Sequence, residues 1–134
     1  MRNQSEVEII MKFNAICENH LYSKAYSKGK RAVTSALAVY ILPDYAAKKL
    51  AKAHPEKRVT NRIGLTTSTK LGGATVRSRC RRLMRESLRQ IEKERNLKQG
   101  FLIVIAARQA MISLKTPDVK HELEAALGRL DFYE

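Results

Sequence analysis

Arg77-Ser78-Arg79-Cys80-Arg81-Arg82-Leu83-Met84-Arg85-Glu86-Ser87-Leu88-Arg89 carries two patterns at once. At roughly 100° per residue, Val76, Cys80, Leu83, Met84, Ser87, Leu88 and Ile91 gather on one side of a helix. Arg79, Arg81, Arg82, Arg85, Arg89 and Lys93 gather on the other. A helix divided this way anchors in a core and presents a rigid cationic face. Arginine is the side chain best suited to bidentate contact with phosphate. Nearby acids are few, only Glu86, Glu92 and Glu94. The bland reading of a charge run is a solvated face. Cations packed this tightly repel one another, however, so an external anion is their natural partner.

Reading outward, Lys70-Leu71-Gly72-Gly73 forms the turn before this helix, which is predicted to run to about Asn96. The P-loop spacing and its Lys-Ser/Thr are missing, which argues against nucleotide hydrolysis. Upstream, Arg58 to Ser68 is predicted as a strand with Val59, Ile63 and Leu65 on one face. Its polar face (Thr60, Arg62, Gly64, Thr66, Ser68) is expected to open to water or a ligand. Ala32 to Leu42 alternates and is read as one strand, stopped by Pro43. Pro43 to Lys57 is a charged connection in which Tyr45 to Ala53 suits a short exposed helix. Tyr22 to Lys28 reads as a helical segment ended by Gly29, and Ser5-Glu6-Val7-Glu8 fits a capping box. Downstream, Phe101 to Arg108 is a buried strand. Thr116-Pro117-Asp118 starts a last helix with Thr116 as N-cap and Val119, Leu123, Ala126, Leu127 and Leu130 facing the core.

The chain has 134 residues, a net charge of +13 and 44% hydrophobic residues. That length suits one folded domain, and the charge attracts polyanions, nucleic acid before an anionic membrane. No apolar run approaches the ~20 residues of a membrane span. The N-terminus lacks a signal-peptide layout, so the cytoplasm is expected. Cys17 and Cys80 do not suggest a disulfide scaffold. His20, His54 and His121 share no ligand spacing with them, which argues against structural zinc. No catalytic triad or paired carboxylates suggest bond-breaking chemistry in these side chains. Tyr22 and Tyr26, four apart and expected near Tyr40, serve equally well as core residues or as stacking platforms for unpaired bases.

Arg62-Ile63-Gly64-Leu65, Ser68-Thr69-Lys70-Leu71-Gly72-Gly73-Ala74 and the Arg77–Glu86 stretch together resemble the signature of the bacterial ribonuclease P protein subunit. Tyr22 to Gly29 resembles that family's aromatic segment, and Ile103 to Arg108 its last strand. The likeness spans roughly Phe13 to Leu130. Ser78 stands where the family usually has Asn, Thr69 replaces a frequent Lys, Thr75 a frequent Val, and the Pro43–Lys57 connection is long.

The resemblance implies an α/β fold, an α+β sandwich like ribosomal protein S5 domain 2. Its order is α-β-β-α-β-α, with a left-handed crossover at the Arg-rich helix, an exception to the right-handed rule. Residues 1–12 would be an N-terminal extension and 13–134 one domain, with 43–57 an extended connection. The resemblance also implies a protein that assists a catalytic RNA in removing the 5′ leader of precursor tRNA. The RNA would hold the active site and its Mg²⁺ ions, and no protein partner or membrane is implied. Tyr22, Tyr26 and Tyr40 would line a leader cleft. Arg62, Ser68, Lys70, Arg77, Ser78, Arg79, Arg81, Arg82, Arg85 and Arg89 would meet RNA. A structural RNA-binding protein of ribosomal or ribosome-assembly type is the alternative. A major-groove DNA regulator fits less well, since phosphate contacts specify no sequence.

Overall fold

The computed structural model describes residues 14–16, 19–45, 49 and 61–134. Helix α1 spans Asn19–Lys28, α2 Ala74–Glu94 and α3 Thr116–Arg129. The strands are β1 (Asn14–Ala15), β2 (Lys30–Val33), β3 (Leu37–Pro43), β4 (Arg62–Thr66) and β5 (Phe101–Ala107). They form one sheet in the order β1-β4-β5-β3-β2. Strands β4 and β5 are parallel neighbours, joined through α2, and β3 is antiparallel to β5.

The sheet is buried on both faces, which makes the molecule a sandwich. Leu37, Val39, Ile41, Ile63, Ile103 and Ile105 point to one side and meet Leu83, Met84, Leu88 and Ile91 of α2 and Val119, Leu123 and Leu127 of α3. On the other side Leu42, Leu102 and Val104 meet Ile16 and Ala25, with Leu21, Tyr22 and Tyr40 packed against them. Burying each such aliphatic side chain contributes about 1.5–3 kcal/mol.

The expected stripe of α2 is the buried one: Cys80, Leu83, Met84, Ser87, Leu88 and Ile91 are buried, with Val76 partly exposed. Ser87 tolerates the core because its hydroxyl donates to the Leu83 carbonyl at 2.7 Å. Cys80 is a buried free thiol whose pKa is pushed up by burial.

The strand expected over Ala32–Leu42 is two strands joined by Thr34-Ser35-Ala36. The reversal is held locally by Thr34, whose N–H donates to the Leu37 carbonyl at 2.8 Å and whose Oγ1 accepts from the Leu37 N–H at 3.3 Å. Arg108 Nη1 braces it through the Thr34 carbonyl at 2.6 Å, and Ser35 Oγ donates to Glu122 at 2.9 Å. Val33, which one continuous strand would put on the same face as Leu37, Val39 and Ile41, is 41% exposed.

Strand β4 is shorter than expected, and residues 58–60 lie outside the described residues. The Ser5–Glu8 capping box and most of the Pro43–Lys57 connection also lie outside them. Tyr45 and Lys49 are helical, as expected there. The N-cap of α3 is Lys115 rather than Thr116, and its N–H donates to the Asp118 carboxylate at 3.1 Å. No helix among the described residues is long and apolar enough to cross a membrane.

Candidate nucleic-acid interface

Two sets of side chains stand out, on opposite faces of the sheet. The first is the outer side of α2. Its first turn holds no acid, and Gly73 caps it without a side chain. Arg82 and Arg85 are exposed, and among the described residues neither has a hydrogen-bond or ion-pair partner. The remaining arginines are engaged to different degrees. Arg79 donates to two backbone carbonyls, Ile112 at 2.9 Å and Leu114 at 2.6 Å, and so ties α2 to the segment leading into α3. Arg81 donates to Thr67 Oγ1 at 2.8 Å and to Ser78 Oγ at 3.2 Å. Arg89 pairs with Glu86 at 2.8 Å, and that hydrogen bond holds the Glu86 carboxyl below its ordinary range. Arg77 is half-buried, with its Nε out of contact with water.

Lys70 is exposed on a 3-10 turn, Thr69–Leu71, whose first N–H groups are capped by Ser68; Ser68 Oγ accepts from the Lys70 N–H at 3.1 Å. Ser78 is exposed and fixes Arg81, a contact that its short hydroxyl makes within one turn of helix. Arg62 lies elsewhere. It sits on the α1 side of the sheet, and its guanidinium makes a two-point pair with the buried Asp44 at 2.7 and 2.9 Å. That pair ties the end of β3 to the start of β4 across the intervening β5. The role open to Arg62 is therefore structural before it is RNA-facing.

The second set lies on the α1 side. The Tyr22 ring covers Gly64 so closely that a Cβ there would lie 2.5 Å from its Cε1. The Tyr22 hydroxyl donates to the Ile16 carbonyl at 3.3 Å. The polar face of β4, expected to be open, is thus partly roofed by this ring. Tyr26 is 43% exposed, meets Tyr40 edge-on with ring centroids 4.8 Å apart, and donates to Thr66 Oγ1 at 3.3 Å. Edge-to-face pairs hold each other's orientation at about 0.5–1.5 kcal/mol beyond burial.

Beyond Tyr26 the register sets Thr66, Ala106, Ala38 and Val33 in one row across four strands. These small side chains leave a shallow floor beside two fixed aromatic rings. Arg31, opposite Tyr40 on β2, is exposed at its margin. Such a trough beside cations suits single-stranded nucleic acid: bases stack and phosphates pair. Gly64 and Thr66 belong to the β4 face whose polarity points to water or a ligand, whereas nothing in the local sequence marks Arg31. A glycine inside a strand does signal close approach by another group.

Among the described residues no group of three or more His, Cys, Asp or Glu could hold a metal ion.

Comparisons with known proteins bear on the family and the fold. The family model described as Ribonuclease P matches residues 10–131. The ribonuclease P protein component of Clostridium acetobutylicum is 34% identical over 114 residues, covering 85% of this chain and 86% of that protein. That of Symbiobacterium thermophilum is 28% identical, covering 81% and 83%. Among solved structures, the Staphylococcus aureus RNase P protein superposes with a TM-score of 0.70 at 22% identity, covering 92% of this chain and all of that one. The Thermotoga maritima RNase P protein gives 0.67 at 19%, covering 87% and 96%. At these identities the structures speak for the fold.

Proposed function

This chain belongs to the ribonuclease P protein family, and from that premise we propose how its two faces divide the work. The outer side of α2, led by Arg82 and Arg85 and flanked by Lys70, Arg81 and Arg89, docks on the catalytic RNA. The trough of Tyr22, Tyr26 and Tyr40 takes the 5′ leader of precursor tRNA. Bond cleavage, and the Mg²⁺ it requires, belong to the RNA. The side chains of this protein position two RNA segments relative to each other, and it works in the cytoplasm.

The observation that carries this reading is that an exposed arginine face, with Arg82 and Arg85 unpaired among the described residues, lies on the outer side of α2 while a braced aromatic trough lies across the sheet from that helix. Four or five phosphate contacts would give log K against log salt a slope near −3 to −4 for single strands. Leader recognition would tolerate most sequences, because stacking and phosphate pairing carry little base information.

Reconstitution tests it. Added to a bacterial ribonuclease P RNA, the chain should restore leader cleavage at low Mg²⁺. No stimulation across a Mg²⁺ titration would overturn the reading. In a purely structural RNA-binding protein, Tyr22→Ala and Tyr26→Ala would leave function unchanged. Here they should weaken precursor binding relative to mature tRNA.

A further inference from the structure

A third basic feature lies away from both faces. At the end of the sheet opposite Thr66 and Ala107, a cavity of 270 Å³ opens between the end of α1, the edge of β3 and the loop entering β5. β3 runs from Leu37 to Pro43 between these ends, roughly 20 Å at a strand's rise per residue. Lys28, Lys30 and Lys98 line the opening. Asp131 is the one acid lining it. It is exposed and 3.8 Å from Lys98, a separation at which an exposed pair is weak. The lining therefore carries three positive charges against one negative.

The floor is apolar. Pro43 and Phe101 are cross-strand partners at the bottom of it. The ladder stops there, because β2 begins with Lys30 opposite Ile41 and leaves Leu42 and Pro43 without a strand partner on that side. An open edge usually invites another strand. Pro43 has no N–H to offer, so a peptide cannot extend the ladder at this point.

A flat apolar group with a negative tail satisfies both halves of the site. The cavity falls just short of the ~300–1,000 Å³ typical for drug-sized ligands, a size that suits one nucleotide. We propose that this notch holds a single unstacked nucleotide of the bound RNA, its base against Pro43 and Phe101 and its phosphate among Lys28, Lys30 and Lys98. The inference rests on the RNA-binding reading for the source of that nucleotide. It adds a contact point that neither the arginine face nor the tyrosine trough supplies.

The test uses the full chain and three probes: adenosine monophosphate, adenosine and inorganic phosphate. In NMR titrations, adenosine monophosphate should move the amide resonances of Lys30, Lys98 and Phe101, and each half-molecule alone should move them less. Lys28→Ala, Lys30→Ala and Lys98→Ala combined should cut that affinity at least fivefold. The same variant should lower the salt slope for a short oligoadenylate by about 0.7, the share of one phosphate contact on a single strand. Shifts confined to α1 and α2 would overturn the proposal. So would inorganic phosphate reproducing the full pattern at Phe101, or an unchanged salt slope. A chain that fails to stimulate leader cleavage yet shows the shifts would overturn only the functional reading. A chain that stimulates cleavage but lacks the shifts would overturn only the notch.

Discussion

The outer side of α2 and the tyrosine trough both suit RNA, yet they are built in opposite ways. On α2, the charges sit at the tips of long flexible side chains on a helix that the core holds from behind. In the trough, the rings are locked by close neighbours: Tyr22 by Gly64, Tyr26 by Tyr40 and Thr66. The first surface can lose a contact without its backbone noticing. The second cannot change a contact without changing its shape. A charge-based face tolerates imprecision because Coulombic attraction falls slowly with distance. A stacking face depends on ring orientation.

The largest effect expected is on the arginine face. Arg82→Glu with Arg85→Glu should lower affinity for ribonuclease P RNA by roughly 100-fold or more, about 3 kcal/mol. Stability should shift by under ~0.5 kcal/mol per site, since both residues are exposed and off the stripe. Gel shift and thermal melting read the two quantities, and retained RNA assembly would contradict the assignment. Gly64→Ala comes next and should show the reverse pattern. Its Cβ collides with the Tyr22 ring, so about 1–3 kcal/mol of stability should go, along with discrimination for precursor over mature tRNA. Pairing it with Tyr22→Ala should recover part of the stability and none of the discrimination. A neutral Gly64→Ala would break the contrast between the two faces.

Tyr26→Ala should weaken precursor binding by about tenfold, in line with loss of one stacked base, and leave mature tRNA untouched. Equal losses for both would move Tyr26 out of the leader site. The smallest effect belongs to pH. Burial pushes the Glu92 carboxyl up to about 7 from an ordinary 4.5. Between those values the folded chain holds a proton that the unfolded chain has released. Stability therefore falls as pH rises through that window and stays lower above it. Glu92→Gln should flatten the profile and gain about 1 kcal/mol near pH 8. Denaturant melts at pH 5 and 8 check it, and a variant still sloping across the window would exclude Glu92 as the cause.

How much of this was legible in the sequence follows from how far apart the cooperating residues lie. The α2 helix could be read almost whole because its information is local: one period separates Cys80, Leu83, Met84, Leu88 and Ile91 from Arg82 and Arg85. The β2–β3 turn could not. Thr34-Ser35-Ala36 contains no Gly, Pro or Asn, and its bracing comes from Arg108 and Glu122, both more than 70 residues away. Smaller separations, 33 and 35 residues for Arg79 and 18 for Arg62, are enough to hide what those two do. Periodicity places Arg79 on the charged side correctly, but nothing local announces the carbonyls of Ile112 and Leu114. Arg62 looks like a free cation until Asp44 is folded onto it. The resemblance to a family placed the tyrosines in a cleft. What fixes the rings is visible only in the fold: Gly64 beneath Tyr22, and Tyr40 and Thr66 beside Tyr26.

The seat of Tyr22 on Gly64 has a consequence for descent. The two positions are 42 apart in the sequence yet occupy a single space, so they cannot drift independently. A lineage that shrinks the ring first opens room for a side chain on β4. A lineage that enlarges the glycine first passes through a misfitted intermediate. The permitted order of change is thus set by a gap smaller than a methyl group, and an alignment of relatives should show the two sites changing together or not at all.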